Sequence, residues 1–149
     1  MTHPRIRPYA DGDEAAVASA WKQSYRAASP VLSSWCTNGR RGTQAYWDWV
    51  NQYVNRMLER CTVRVACNPH GEDHLWGWLC HEGPVVHYVW VRLEYRRRGI
   101  ATALLLEALG PRAQDELICS HWTKACEQIQ TKIRLRYCPS AAERHMRAP

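Results

Sequence analysis

Phenylalanine is absent from this 149-residue chain, which nevertheless holds eight tryptophans and seven tyrosines. Its large aromatic rings therefore all carry a polar atom; nothing in the sequence explains the missing Phe. No stretch approaches the ~20 apolar residues of a membrane span. The opening Met-Thr-His-Pro-Arg-Ile-Arg-Pro has no apolar signal core. A single cytoplasmic domain that does not engage a membrane is expected over residues 1–139, with a flexible tail over 140–149. The seven cysteines (Cys36, Cys61, Cys67, Cys80, Cys119, Cys126 and Cys138) form no Cys-x-x-Cys pair. They read as reduced core residues, not as a disulfide framework. Cys67, His70, His74, Cys80 and His81 crowd one hairpin, but a strand separates Cys80 from the rest, and no metal site is expected. There is no Gly-Lys-Ser/Thr to make a P-loop, no internal repeat and no low-complexity tract. Acidic residues are outnumbered, 14 against 20 basic, for a net charge of +6. That balance suits polyanionic partners, nucleic acid among them, or serves solubility alone.

What is present is concentrated between Val85 and Gly110, VVHYVWVRLEYRRRGIATALLLEALG. From Val85 to Val91 every residue but His87 is β-branched or aromatic, as suits a strand buried on both faces. Ala101, Leu104, Leu105, Ala108 and Leu109 then recur at helical spacing. Gly110-Pro111 closes the helix, glycine at a left-handed cap and proline as a stop. Between strand and helix lies Arg96-Arg97-Arg98-Gly99-Ile100-Ala101. The first N–H groups of a helix have no partner within it and point out along its axis, so such a turn is an anion site. Gly99 lets the backbone approach a ligand, Ala101 keeps the next turn small, Thr102 adds a hydroxyl, and three arginines add charge. The ligand implied is a phosphate or pyrophosphate; the alternative is a solvated basic turn.

Arg96-x-x-Gly99-x-Ala101, preceded by Val91-x-x-Glu94-Tyr95 and followed by Thr102-Ala-Leu-Leu105, resembles the coenzyme A motif (Q/R)-x-x-G-x-(G/A) of the GNAT acyltransferase superfamily. The resemblance implies an α/β (α+β) fold: a mixed, mostly antiparallel central sheet flanked by helices, with a splayed central strand pair. It also implies acetyl-CoA or another acyl-coenzyme A as cofactor. Val89, Trp90 and Val91 would contact its pantetheine arm, and Arg96, Arg97, Arg98, Gly99, Ile100, Ala101 and Thr102 its pyrophosphate. The activity implied is N-acyl transfer to an amine on a small molecule, a protein or a modified DNA base. Ser19-Ala-Trp-Lys-Gln-Ser-Tyr-Arg26, His87-Tyr-Val-Trp-Val91, Ser120-His-Trp-Thr123 and Tyr137-Cys-Pro139 are further similar to small GNAT-like proteins common in tailed phages and their hosts. That narrower likeness implies a phage protein in host cytoplasm, with DNA as an acceptor.

The remaining elements are read from periodicity. A strand is expected over Arg5–Tyr9, then a helix from Asp11 with Asp11 as N-cap and Glu14 three residues on. Val17, Trp21 and Tyr25 share one face of it. A long loop is expected from Ala27 to Gly42. A helix over Thr43–Arg60 comes next, with Tyr46, Trp49 or Val50, Tyr53 and Met57 as its apolar stripe. Strands are expected over Cys61–Cys67 and Leu75–Cys80, with a turn over Asn68–Asp73. Another at Leu117–His121 should run parallel to Val85–Val91 after a helical crossover. A short helix, Thr123–Gln130, and a last strand, Lys132–Cys138, leave the C-terminal end shorter than a GNAT's closing hairpin.

Acyl transfer to an amine needs a base, an oxyanion donor and a proton for the leaving thiolate. GNAT enzymes often place a glutamate on the fourth strand and a tyrosine on the fourth helix; this chain has neither. His121 is the candidate base or substrate orienter, because histidine titrates near neutrality, or else a structural histidine bonded to backbone. Tyr137 is the candidate acid, or a core tyrosine. Tyr25, Arg26 and His87 are candidates for substrate binding, with Arg26 able to hold an anionic acceptor. Cys126 reads as a buried thiol before a nucleophile. The competing reading is a GNAT-like module that associates with nucleic acid, or with another target, without turnover.

Overall fold

The computed structural model of the protein describes residues 2–28 and 39–142. Its core is a six-stranded sheet ordered β1 to β6 as in the chain. β1 (Arg5–Pro8), β2 (Thr62–Asn68), β3 (Gly71–Glu82) and β4 (Val85–Val91) pair antiparallel in sequence. β5 (Leu117–Cys119) runs parallel to β4, and β6 (Leu135–Tyr137) parallel to β5. Parallel neighbours need crossovers. α3 (Ile100–Leu109) supplies the first and α4 (Lys124–Ile129) the second, while α1 (Glu14–Ala28) and α2 (Gly39–Arg60) join β1 to β2. The architecture is the mixed, mostly antiparallel α/β fold expected from the sequence, GNAT-like in element order, with one closing strand.

The apolar stripes decide which helix covers which face. Val17, Trp21 and Tyr25 of α1 and Tyr46, Val50, Tyr53 and Met57 of α2 are buried against Val65, Trp78 and Tyr88 of the sheet. Ile100, Leu104, Leu105 and Leu109 of α3 bury against Leu79, Val86, Val89 and Leu117 on the other face. Tryptophan and tyrosine fill the first core in place of phenylalanine. The Trp21 ring sits 4.8 Å from Trp78 and 5.6 Å from Tyr88, centroid to centroid. The indole N–H groups of Trp21 and Trp78 are buried with no hydrogen-bond partner among the described residues, a desolvation cost that Phe would not carry.

Several boundaries move. β3 begins at Gly71, inside the expected turn, and the hairpin is held from outside by Arg5 and Arg7, which bond to Glu72. α2 starts at Gly39, four residues before the expected Thr43. β5 stops at Cys119, two residues short of His121. β6 starts at Leu135, because Lys132 and Ile133 are still bonded back to the Ile129 carbonyl. The entry to α1 is capped by Asp13, not Asp11 or Glu14. The Asp13 carboxylate accepts the Ala10 N–H at 2.9 Å and both terminal nitrogens of Arg7 at 2.7 and 2.8 Å. Of the loop expected over Ala27–Gly42, residues 29–38 lie outside the described residues. At the other end Pro139–Ala142 form a 3-10 turn with Ala142 buried, so the chain keeps to the domain past the expected start of the tail at residue 140; residues 143–149 lie outside the described residues.

Candidate functional site

The site begins with a miscount in β4. Cys80 faces Tyr88 and His81 faces Val86, so His87 is one residue too many for the partner strand. Such a bulge bends its strand and re-aims the side chains beyond it. Val86 before it packs on the α3 face, and so do Val89 and Val91 after it, while Tyr88 and Trp90 turn to the α1 face. β5 accompanies β4 only at Val85 and Val86. Further along, the Arg92 N–H donates to the Trp76 carbonyl of β3 at 2.8 Å. By strand alternation, Val89 and Val91 then direct their N–H and C=O groups to the edge that β5 has left. This is the splayed strand pair, and it opens a cleft of about 640 Å³.

The basic turn forms one end of that cleft. Leu93–Tyr95 make a 3-10 turn, then Arg97 and Gly99 take positive φ, 59° and 76°. A non-glycine residue held left-handed stores strain of the sort found at ligand clamps. Gly99 is the N-cap of α3 and supplies no side-chain acceptor. The Ala103 N–H bonds the Gly99 carbonyl at 2.9 Å, so the helix begins at Ile100 and its first N–H groups point outward. The space in front of Gly99 is empty to 4 Å. With the positive end of the helix dipole added, the turn is a candidate anion site.

The cleft wall contains Val89, Trp90, Val91, Arg96, Arg97, Gly99, Ile100, Ala101 and Thr102. Nine of the ten candidate cofactor residues are thus brought together. Arg98 is apart: its guanidinium lies over the Tyr95 ring, 5.4 Å from the centroid. Arg96 is on the wall, but its Nε donates to the Val91 carbonyl at 2.9 Å, finishing the open strand edge. The opposite wall was not foreseen. It consists of Ser24 and Ala27 of α1, Thr123, Ala125, Gln128 and Ile129 around α4, and Lys132. Tyr88 was missed as well; it lines the cleft and donates to Ser24 Oγ at 3.2 Å. Burial raises its phenol, and the bond to Ser24 only partly offsets this. Its position beside His87 was the available signal, but a run apolar at every other position hides which face each residue takes.

The candidate catalytic and acceptor residues are not on the cleft wall. His87 is buried in the bulge, its Nδ1 2.9 Å from Ser120 Oγ, and the same hydroxyl is 3.0 Å from His121 Nδ1. One hydroxyl has one hydrogen, so if it donates to one ring the other ring must donate to it. His121 packs edge-on against Tyr25 and Tyr53, with centroids 4.8 and 5.9 Å away. Burial, then the charge of His87, pushes its pKa down to about 4, so it is neutral at pH 7. Its buried Nε2 has no partner among the described residues. Tyr25 is itself buried, stacked on Trp49 and Tyr53 and edge-on to Tyr88, with its phenol pushed far up by burial. Arg26 is half-buried in the last turn of α1, and Tyr137 is 52% exposed on β6, edge-on to Trp122. Tyr137 is therefore not a core tyrosine.

No protein-family model matches the chain, and no curated protein matches it. Among solved structures it is similar to a GCN5-related N-acetyltransferase from Rhodopseudomonas palustris (19% identity over 72% of this chain and 64% of that one, TM-score 0.47). It is also similar to apo YjaB from Escherichia coli (17%, 71% and 66%, TM-score 0.46). A third likeness is to an aminoglycoside acetyltransferase from an uncultured soil metagenomic sample (16%, 94% and 87%, TM-score 0.40). The chain spans slightly under two thirds of the length of the first two. All three identities lie below 20%. The order of strands, the parted β4–β5 pair and the glycine-capped turn are together what make the fold GNAT-like.

Proposed function

We propose that the protein transfers an acyl group, acetyl in the first instance, from coenzyme A to an amine. One observation carries the reading: the cleft along the unpaired edge of β4 ends at the bare N-terminus of α3, next to Arg97. A diphosphate at the Ile100–Thr102 N–H groups would leave the pantetheine arm to pair with Val89 and Val91, as a missing strand would. The thioester would then lie toward Tyr88 and Ser24, and a strand N–H would meet the tetrahedral oxyanion. Tyr88, kept protonated by burial, takes the role first given to Tyr137: its hydroxyl can pass a proton to the leaving thiolate. His121, packed behind Tyr25 and off the cleft wall, takes the structural alternative.

Calorimetric titration of acetyl-coenzyme A tests the reading. Ala101→Glu places a negative charge at the helix N-terminus and should weaken binding about tenfold or more with the fold intact. Unchanged affinity would remove the proposal. Mass analysis of products then identifies the acceptor among small amines, peptides and DNA carrying an aminated thymidine; the last tests a phage-type role.

A further inference from the structure

Behind the wall of the cleft opposite the basic turn, two buried thiols meet. The Sγ atoms of Cys119, at the end of β5, and Cys126, in the first turn of α4, lie 3.1 Å apart. Both are buried, and both sit against the His121 carbonyl oxygen, at 2.7 and 3.4 Å. Thr123 Oγ1 lies 3.5 Å from the Cys126 sulfur. The two sulfurs therefore flank the Ser120–Thr123 loop from both ends, and their neighbours Thr123 and Ala125 line the cleft. Sequence spacing gave no hint of this, since seven positions separate the two and no Cys-x-x-Cys exists.

We propose that Cys119 and Cys126 are a peroxide-reactive dithiol whose oxidation to a disulfide resets the cleft. The Cys126 thiolate attacks one peroxide oxygen, giving a sulfenic acid and hydroxide. The Cys119 thiol then attacks that sulfur, forming the S–S bond and releasing water. Two thiol sulfurs are oxidised by two electrons and one peroxide is reduced. The pair is electronically set for this order of attack. The hydrogen bond between the two sulfurs holds Cys126 below the ordinary thiol range and Cys119 above it. A small oxidant can arrive through the cleft, one residue from Cys126.

Bond formation must bring the sulfurs roughly 1 Å closer. Cys119 is fixed in the sheet, so the first turn of α4 moves, and Thr123, Ala125 and Gln128 move with it. The disulfide is independent of the acyl-transfer reading; its effect on coenzyme A rests on that reading. Lys124 lies between the two cysteines, so trypsin separates Ala113–Lys124 from Ala125–Lys132 unless a disulfide joins them.

The full chain is treated with hydrogen peroxide and digested without reductant. The expected result is a loss of about 2 Da with the two peptides joined. The link is absent from Cys126→Ser and Cys119→Ser and retained in Cys61→Ser. Peptides that stay separate in the wild-type chain, unmodified or carrying sulfinic or sulfonic acid, overturn the proposal. Coenzyme A affinity of the cross-linked protein should differ about threefold or more from the reduced protein and return with dithiothreitol. A cross-link with unchanged affinity would overturn the coupling to the cleft. Reduced protein that binds no coenzyme A would instead sink the proposed function and leave the dithiol standing.

Discussion

At the scale of single residues, two titratable groups, buried Asp13 and partly buried His121, set how the domain answers acid. Burial alone would raise the Asp13 carboxyl, but the Arg7 fork, the Ala10 N–H and the Arg7 charge outweigh it and hold it below its ordinary value. Its stabilising effect is present above the unfolded carboxylate pKa and is lost as pH falls through the lower folded value. His121 acts at milder pH. Its folded pKa, about 4, lies below the ordinary 6.5, so the unfolded chain takes the proton first. Stability is intact above about pH 6.5 and falls toward pH 4, by at most about 1.4 kcal/mol per pH unit. Urea midpoints measured from pH 7 to pH 4 should fall in the wild type and flatten in His121→Gln; parallel curves would refute the assignment. Asp13→Asn should cost about 2 kcal/mol at pH 7, because it breaks a bidentate pair and leaves the Arg7 charge half-buried. Denaturant unfolding reads this directly.

At the scale of elements, β4 is where the sequence is both most and least informative. Its composition announces a strand buried on both faces, and Gly99 announces a tight turn into a helix; both are found. The bulge is not legible in the same way. With valine, tyrosine and tryptophan at every position but His87, alternation leaves no trace of parity, so a change of face is silent. His87 was the one polar residue in the run, and it occupies the bulge. Whether His121 faces the cleft depends on where β5 stops, and the apolar Leu117–Cys119 run does not mark that end sharply enough to keep Ser120 and His121 out of the strand. The far wall was illegible for another reason: Thr123, Gln128 and Lys132 belong to the second crossover and meet the basic turn only after the first is complete. β3 carries its own constraint. A Cβ on Gly77 would sit 2.7 Å from the Trp90 carbonyl oxygen, a backbone atom that cannot swing away. Gly77→Ala should therefore push β4 outward, cost about 2 kcal/mol in thermal unfolding, and weaken coenzyme A binding through Trp90.

At the scale of the whole molecule, two cores on opposite faces of one sheet leave a rigid frame around a gap. Among the described residues no helix is long and apolar enough to cross a membrane. A ligand that seats in the gap binds only the folded state. At one hundred times its dissociation constant, acetyl-coenzyme A should add about 2.7 kcal/mol and raise Tm by about 5–10 °C. A scan that shows no shift at saturating cofactor would contradict the proposed function. The parity change at His87 has a consequence beyond the strand itself. Without that spare position β4 would count evenly against β3 from end to end. The odd number is thus confined to one rung: shortening β4 at His87 would even the count without touching a single side chain of the cleft walls.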